Sequence, residues 1–224
     1  MFNPAVHSLI PIAAPIVESS LGAQWLPVVL AIIEHESGGE PGIRSAHECK
    51  NSEMIPKISG GFEKVKHAYG LMQVIPKVVL EFSEIKGKPV FFEQISGKTQ
   101  NDCEMQIKIG CWLLKRFKTR MQQVVRVHLP DGNLDNDGLA AVVMAYGIGA
   151  RPIIDAILIL KEKGIAPTFE NLNSHFPFLG QPGNYPFKFA RWILSKIGKA
   201  LTFSMTDSWP LVLAFGLSLY LLFK

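Results

Sequence analysis

The spacing of apolar and polar residues along the chain predicts a mainly α-helical protein. Apolar residues recur at helical spacing or in longer runs, and prolines, glycines and capping residues separate these segments. Residues 40–67 show little periodicity and are expected to be irregular, while strand signals are limited to short pieces near 69–75. The predicted helices span about residues 5–20, 25–36, 103–125, 137–147 and 152–163.

The C-terminal part of the sequence has a different pattern. Residues 186–201 are predicted to form an amphipathic helix in which apolar residues alternate with lysine and arginine. Residues 209–223, "WPLVLAFGLSLYLLF", contain no charge, and so long an apolar run is unfavourable in water. We therefore expect a C-terminal transmembrane helix that anchors the protein, with the basic helix on anionic headgroups; the alternative is a buried core helix. The predicted units are residues 1–180, 181–206 and 207–224.

The charge and the cysteines narrow the expected partners. The formal net charge of +4 mildly favours anionic partners, but the basic residues are spread along the chain and form no nucleic-acid-binding motif. Cys49, Cys103 and Cys111 lack metal-ligand spacing and are expected to be ordinary buried thiols. We expect no nucleic acid partner, no metal and no cofactor, and the oligomeric state stays open.

The stretch "EHESGG", residues 34–39, places acids directly after the apolar run of the second predicted helix. On a helix, Glu36 shares one face with Ile33 and Val29, so its carboxyl group is expected at the carboxyl-terminal end of an apolar face. Desolvation and the negative end of the helix dipole both favour the protonated acid, which is the form that a general acid requires. The neighbouring titratable residues are not expected to react: these are Glu34 and Glu40, both solvated, and His35, a rim or packing residue.

Four short motifs lie within residues 10–160. "AIIEHESGG" contains Glu36, "YGLMQVIP" spans residues 69–76, "QIKIGCWLL" spans 106–114 and "AYGIGA" spans 145–150. In this order they resemble the motifs of the soluble lytic transglycosylases, a family related to goose-type lysozyme. The matching family elements are a Glu followed by Ser and Gly, then Gly-Leu-Met-Gln, Asn-Ile-x-x-Gly-x-x-Tyr-Leu and Ala-Tyr-Asn-x-Gly. Gln106 stands at the place of the Asn in the third element.

The resemblance implies that residues 1–180 form a lysozyme-like α domain with a short β element that cleaves peptidoglycan. In the family one carboxylate, here Glu36, protonates the leaving oxygen of the β-1,4 bond between N-acetylmuramic acid (MurNAc) and N-acetylglucosamine (GlcNAc). It then accepts the proton of the C6 hydroxyl of MurNAc, which closes a 1,6-anhydro ring without water. The substrate-binding residues implied by the resemblance are Ser37, Gly70, Leu71, Met72, Gln73 and Tyr146, whose hydroxyl would point at Glu36.

Some of these residues also have a purely structural interpretation, and the chain departs from the family pattern twice. The structural alternative for Ser37 is a simple helix stop, and for Met72 and Tyr146 it is a core position. The interval between the first two motifs is longer than in the family, so residues 44–67 would reshape one wall of the cleft. Gly147 stands where the family has Asn, which removes one hydrogen-bonding side chain.

Two other functions are compatible with the same residues. A lysozyme-type muramidase would hydrolyse the same bond on the same fold. A non-catalytic wall-binding protein of an assembly would use the fold without chemistry, although the presence of Glu36 disfavours it. Analysis of the released products separates the first alternative from a transglycosylase.

The charges around the apolar tail suggest where the enzyme works. Basic residues precede the tail and only Lys224 follows it, so the positive-inside rule would leave the domain on the cytoplasmic side, where there is no wall. No secretory signal is expected either. A phage protein, carried in a membrane-containing virion or released during lysis, would reach the periplasmic wall from that side. We therefore expect a membrane-associated enzyme that acts on the bacterial wall.

Overall fold

A computed structural model describes residues 1–125, 135–179 and 184–198 of the chain. Over these residues the protein is mainly α-helical and has a single two-stranded antiparallel sheet, which confirms the predicted class. The helices are α1 (Pro4–His7), α2 (Ile10–Ser20), α3 (Leu26–Ser37), α4 (Pro76–Lys86), α5 (Phe92–Ser96), α6 (Gln100–Val125), α7 (Asn136–Ile148), α8 (Ala150–Glu162), α9 (Phe169–His175) and α10 (residues 185–198).

Helix α3 lies in the core and ends in the "EHESGG" stretch. Residues 28–33 are all buried, which is expected only of a helix that other elements cover on every side. Pro27 lies in the first turn, where its missing N–H costs no hydrogen bond. Gly38 ends the helix with a φ of 64°, a left-handed conformation that glycine adopts without strain. The prediction of a helix over residues 25–36 is confirmed.

Most of the segment predicted to be irregular is instead a β-hairpin. Strand β1 (Arg44–Pro56) pairs antiparallel with β2 (Phe62–Tyr69). The prediction was wrong because few side chains of the hairpin are buried, so the alternation of apolar and polar residues that marks a half-buried strand is missing. The expected strand piece near residues 69–75 is present only as an isolated bridge between Tyr69 and Val74.

Helices α4, α5 and α9 were not predicted from the sequence. Helix α4 begins at Pro76 and ends before Gly87, whose φ is 63°, and both are common helix boundary residues. Helices α5 and α9 have 5 and 7 residues, too few to show a periodic apolar pattern. Of the three, α4 bears most directly on the site because only residues 74 and 75 separate it from residues 70–73, the "GLMQ" loop.

Helix α10 corresponds to the amphipathic helix predicted over residues 186–201. Its apolar side is buried in the domain core, so contact with anionic headgroups would be made by its basic side, and that contact stays a prediction. The boundaries expected at residues 180 and 206 stay predictions. The buried side chains of α10 are Phe187, Phe189, Ala190, Ile193 and Ile197.

The apolar tail over residues 209–223 lies outside the described residues. Within the part of the chain that the structure describes, no helix is both long enough and apolar enough to cross a membrane. All three cysteines are free thiols; Cys103 and Cys111 are buried as predicted, and Cys49 on β1 is half-buried.

Candidate active site

Glu36 lies in the last turn of α3, directly after the buried part of the helix. Its side chain is 17% exposed, and Ile32 and Ile33 in the preceding turn are fully buried. One carboxylate oxygen, Oε1, lies 3.4 Å from Nδ1 of His35. The carboxyl group is therefore mostly covered but still reaches the surface, as a group that exchanges protons with a substrate must.

Two tyrosines share the environment of Glu36. Burial, and after it the negative charge of Glu36, raises the pKa of Tyr146 well above its ordinary value. The same two causes raise the pKa of Tyr185 to about 12. Both hydroxyls therefore stay protonated at neutral pH and are able to donate hydrogen bonds beside the carboxylate.

The other two acids of the region are engaged elsewhere. Oε1 of Glu34 lies 2.7 Å from Nζ of Lys196 on α10, and the side chains of this pair are only 14% and 19% exposed. The expectation that Glu34 is solvated is thus wrong, because α10 covers this side of α3. Glu40 is exposed and lies 3.4 Å from Lys98, as a solvated acid would.

His35 packs against aromatic rings of α10. Its ring centroid lies 4.6 Å from that of Phe189 and 5.3 Å from that of Trp192. This agrees with the interpretation of His35 as a rim or packing residue, and it also fixes the ring beside Glu36.

Ser37 uses its hydroxyl within the end of α3. The hydroxyl donates to the carbonyl of Ile33 at 3.0 Å and accepts from the N–H of Gly39 at 3.2 Å. Ser37 is also only 9% exposed. These contacts match the interpretation as a helix stop, and a contact between Ser37 and substrate stays a prediction.

The "GLMQ" loop is held by its own backbone and by one buried amide. Gly70 has a φ of 83° and donates its N–H to the carbonyl of Ile43, and a Cβ at this position would lie 2.7 Å from Cγ of Gln106. The N–H of Leu71 donates to Oε1 of Gln106 at 2.9 Å. This position therefore requires glycine both for its backbone conformation and for the close approach of Gln106.

Gln106 is the buried polar centre that joins the segments around this loop. It is 1% exposed, and its Nε2 donates to the carbonyl of Gly97 at 2.9 Å and more weakly to that of Gln94 at 3.4 Å. Together with the bond from Leu71, these contacts give both Oε1 and Nε2 of the amide a hydrogen-bond partner, as burial of a polar side chain requires. The sequence motif that contains Gln106 predicted no role for it, although a polar residue on the apolar side of α6 was the available signal.

Tyr146 is oriented differently from the expectation. Its hydroxyl donates to the backbone carbonyl of Met72 at 2.6 Å rather than to Glu36. Met72 is fully buried, and a Cβ on Gly110 of α6 would lie 2.2 Å from its sulfur, so Met72 fills the space that this glycine leaves. This hydrogen bond links the "GLMQ" loop to α7. Tyr146 still lies close enough to Glu36 for the carboxylate charge to raise the pKa of its hydroxyl.

Gln73 has a strained backbone, and its side-chain amide is hydrogen-bonded to backbone carbonyls. Its φ of 46° is unusual for a residue with a side chain, and its Nε2 donates to the carbonyls of Ile43 and Gly70, both at 3.0 Å. Strain of this kind is found most often at functional sites, where the surrounding structure enforces it. Here the amide of Gln73 shapes the loop that borders the cleft.

A cleft of about 470 Å³ runs beside this group of residues. Glu36 is not part of its lining, whereas Tyr146, whose pKa is raised in part by the charge of Glu36, is. The cleft is bounded by β1, the start of α4, the middle of α6 and the junction of α7 with α8. Its lining residues are Lys50, Gln73, Val74, Ile75, Val78, Leu113, Phe117, Ala145, Tyr146, Gly147, Ile148 and Gly149.

Tyr185, at the start of α10, was missed by the sequence analysis. Its ring stacks on Phe189 with a centroid distance of 5.8 Å and an interplanar angle of 4°. A Cβ on Gly147 would lie 3.2 Å from Cε1 of Tyr185, so the two rings crowd the place of the side chain that the family has at this position. Nothing in the local pattern distinguished Tyr185, because only the packing of α10 on α7 brings it to Glu36.

Comparison with known families places the chain in one of them. The family model of the transglycosylase SLT domain matches residues 16–169, more than half of the sequence, so the chain belongs to this family. A search of curated proteins finds no match to the chain. Membership supports transglycosylase activity on peptidoglycan, and the matched residues include Glu36, the "GLMQ" loop and Tyr146. Among the described residues, no group of three or more His, Cys, Asp or Glu side chains is placed to hold a metal ion.

Proposed function

We propose that this protein is a lytic transglycosylase that cleaves the MurNAc–GlcNAc β-1,4 bond of peptidoglycan and leaves 1,6-anhydro-MurNAc. The observation that carries the proposal is the position of Glu36, mostly buried at the end of α3 and beside two protonated tyrosines. The reaction needs this carboxyl group first as a proton donor and then as a proton acceptor, and a mostly covered group that still reaches the surface can exchange its proton with the substrate in both steps.

The reaction then proceeds in two proton transfers through Glu36. In the first, the carboxylic acid gives its proton to the glycosidic oxygen, the bond from this oxygen to C1 of MurNAc breaks, and GlcNAc leaves with a new hydroxyl. In the second, the Glu36 carboxylate takes the proton of the C6 hydroxyl while O6 bonds to C1. The protonated acid is regenerated, and no water is consumed.

The distribution of acids supports a one-carboxylate mechanism. A glycosidase that uses two carboxylates needs the second about 5–9.5 Å from the first. Glu34, the nearest acid in sequence, is turned to Lys196 and covered by α10. The lining of the cleft, within the described part of the chain, includes no Asp or Glu. These observations favour the transglycosylase over the muramidase that would act on the same fold.

The residues around the cleft have the expected supporting roles in this proposal. We propose that Gly70, Leu71, Met72 and Gln73 form one wall of a lysozyme-like glycan groove, whose backbone the sugar approaches. Tyr146 holds this wall in place through the carbonyl of Met72. Ser37 supports the end of α3, so its effect on the substrate is exerted through the position of Glu36.

We further propose that the enzyme degrades the wall locally and from a membrane, in the setting of phage entry or lysis. This part of the proposal rests on the uncharged run over residues 209–223, which lies outside the described residues. The membrane association is tested by the truncation described in the Discussion.

Mass spectrometry of the muropeptides released from purified sacculi tests the reaction. We expect products that end in 1,6-anhydro-MurNAc, each 18 mass units (about one water) lighter than the hydrolytic product, and none from the Glu36→Gln variant. Products with reducing MurNAc ends would instead identify a muramidase. Binding to sacculi without release of any product by the unchanged protein would favour the wall-binding alternative.

A further inference from the structure

The hairpin of β1 and β2 contributes one side chain, Lys50, to the lining of the cleft. The other lining residues are apolar, glycine, or the uncharged polar Gln73 and Tyr146, so Lys50 is the one charged group among the cleft residues that the structure describes. A single cation on an otherwise neutral wall selects for an anionic group on whatever occupies the cleft.

A local irregularity of β1 accompanies this position. Glu48 pairs with His67 and Glu53 with Val65, so five steps along β1 oppose two along β2. The extra residues form a bulge that contains Lys50. Bulges of this kind redirect side chains and are frequent next to active sites. The long segment between the first two sequence motifs thus forms the hairpin that brings Lys50 to the cleft.

The charge of Lys50 is not used within the described part of the protein. Lys57 and Lys66 of the same hairpin lie 3.6 Å and 3.7 Å from the carboxylates of Glu63 and Glu48. No acid of the described residues lies within ion-pair distance of Lys50. Its ammonium group is therefore available to a ligand.

We infer that Lys50 binds a carboxylate of the glycan substrate in the cleft and makes the enzyme prefer anionic strands to neutral ones. The inference rests on the proposed function, because MurNAc is the sugar that carries such a group. In peptide-free strands the carboxylate is that of the lactyl ether of MurNAc. In peptide-bearing strands this carboxyl is an amide, and the carboxylates belong to the stem peptide.

Binding measurements with the full chain carrying Glu36→Gln test the inference without cleavage. Calorimetry would compare three MurNAc–GlcNAc oligomers of equal length: peptide-free, peptide-free with the lactyl carboxylates converted to neutral amides, and peptide-bearing. Lys50→Gln should weaken binding of carboxylate-bearing oligomers about two- to fivefold, the range of an exposed ion pair, and leave the neutral oligomer unchanged. Lys64→Gln on β2, outside the cleft lining, is the matched control and should change none of the three.

The pattern of losses decides both the source of the carboxylate and the inference. A loss with the peptide-free oligomer assigns the lactyl group, and a loss with the peptide-bearing oligomer alone assigns the stem peptide. The inference would be overturned if the Lys50→Gln variant bound all three oligomers as tightly as the parent Glu36→Gln chain, or if it lost as much affinity for the neutral oligomer as for the others, even where the unchanged protein cleaves sacculi. No binding of any oligomer, with no cleavage of sacculi, would overturn the proposed function and this inference together.

Discussion

At the scale of single residues, the chemistry depends on the different surroundings of three neighbouring acids. Glu36 lies beside Tyr146 and Tyr185, Glu34 is paired under α10, and Glu40 is exposed to solvent. We therefore expect the same substitution, Glu to Gln, to have a different effect at each of the three positions.

The Glu36→Gln variant should fold normally and lose wall cleavage. Glutamine has the same shape but cannot deliver the proton, and general acid catalysis contributes about 10²–10⁴-fold to a rate. A clearing assay on a peptidoglycan suspension, with circular dichroism to check the fold, measures this. Glu40→Gln is the control and should retain most activity; near-normal clearing by Glu36→Gln would show that another group is the acid.

The Tyr146→Phe variant should lose more turnover than stability. Removal of the hydroxyl leaves the buried carbonyl of Met72 without its donor, which costs about 1–3 kcal/mol of unfolding free energy. The loosened "GLMQ" loop should lower turnover by roughly ten- to a hundredfold, since misplacement by about 1 Å can cost that much.

A thermal melt beside the clearing assay separates the two effects of Tyr146→Phe. Tyr185→Phe is a useful comparison, because none of the described residues hydrogen-bonds to the Tyr185 hydroxyl, and its stability should change little. A large melting shift with normal specific activity in Tyr146→Phe would make Tyr146 a core residue only.

At the scale of elements, the ion pair between Glu34 and Lys196 joins α3 to α10. The pair is mostly covered, and one oxygen of Glu34, Oε2, is buried without a hydrogen-bond partner among the described residues. Glu34 therefore lies on the same helix as Glu36, but its ion pair acts on the docking of α10, which also brings Tyr185 and Phe189 to the site.

The Glu34→Gln variant should be less stable but retain most of its specific activity. The ammonium group of Lys196 would lose its anion while still largely buried, at a cost of about 1–3 kcal/mol of unfolding free energy. Urea denaturation measures this loss. Glu40→Gln breaks the exposed pair with Lys98 and should cost less than about 1 kcal/mol. An equally small loss in both variants would show that the pair does not hold α10.

At the scale of the whole molecule, the domain extends further along the chain than its catalytic motifs. The motifs end at residue 150, whereas α10 reaches residue 198 and buries five apolar side chains. A chain cut at residue 180, the expected boundary, would lack these side chains in its core. We therefore expect the point of truncation to decide whether the domain folds.

A chain that ends after residue 198 should fold and cleave the wall, and one that ends at 180 should be strongly destabilised. Loss of a large buried aromatic side chain alone costs about 3–5 kcal/mol, and the shorter truncation removes two, Phe187 and Phe189. Thermal melts of both chains measure this. Equal stability of the two would show that residues 1–180 are self-sufficient.

The full chain should also partition with membranes and resist a high-salt wash. Salt screens the basic residues but does not weaken insertion of the apolar run over 209–223. Centrifugation of membranes from expressing cells, with the 198-residue chain as the control, measures this. Release of the full chain by salt alone would mean that the tail is not inserted.

The sequence by itself determined the mainly helical class, the family and the placement of Glu36. These features are local: the apolar run of α3 implies a buried helix, its period assigns Glu36 to one face, and each of the four motifs is a short continuous stretch of sequence. Helix geometry converts such spacing directly into neighbouring side chains, so no long-range information was needed.

Only the tertiary structure decided the contacts that join distant segments. Glu34 and Lys196 are 162 residues apart, and the Tyr146 hydroxyl reaches Met72 rather than Glu36. No periodic pattern predicted that Tyr185 approaches the site. None predicted the exposed hairpin that brings Lys50 to the cleft either. The physical reason is that periodicity reports which side of an element is buried, whereas the partner that buries it is chosen by the packing of the whole chain.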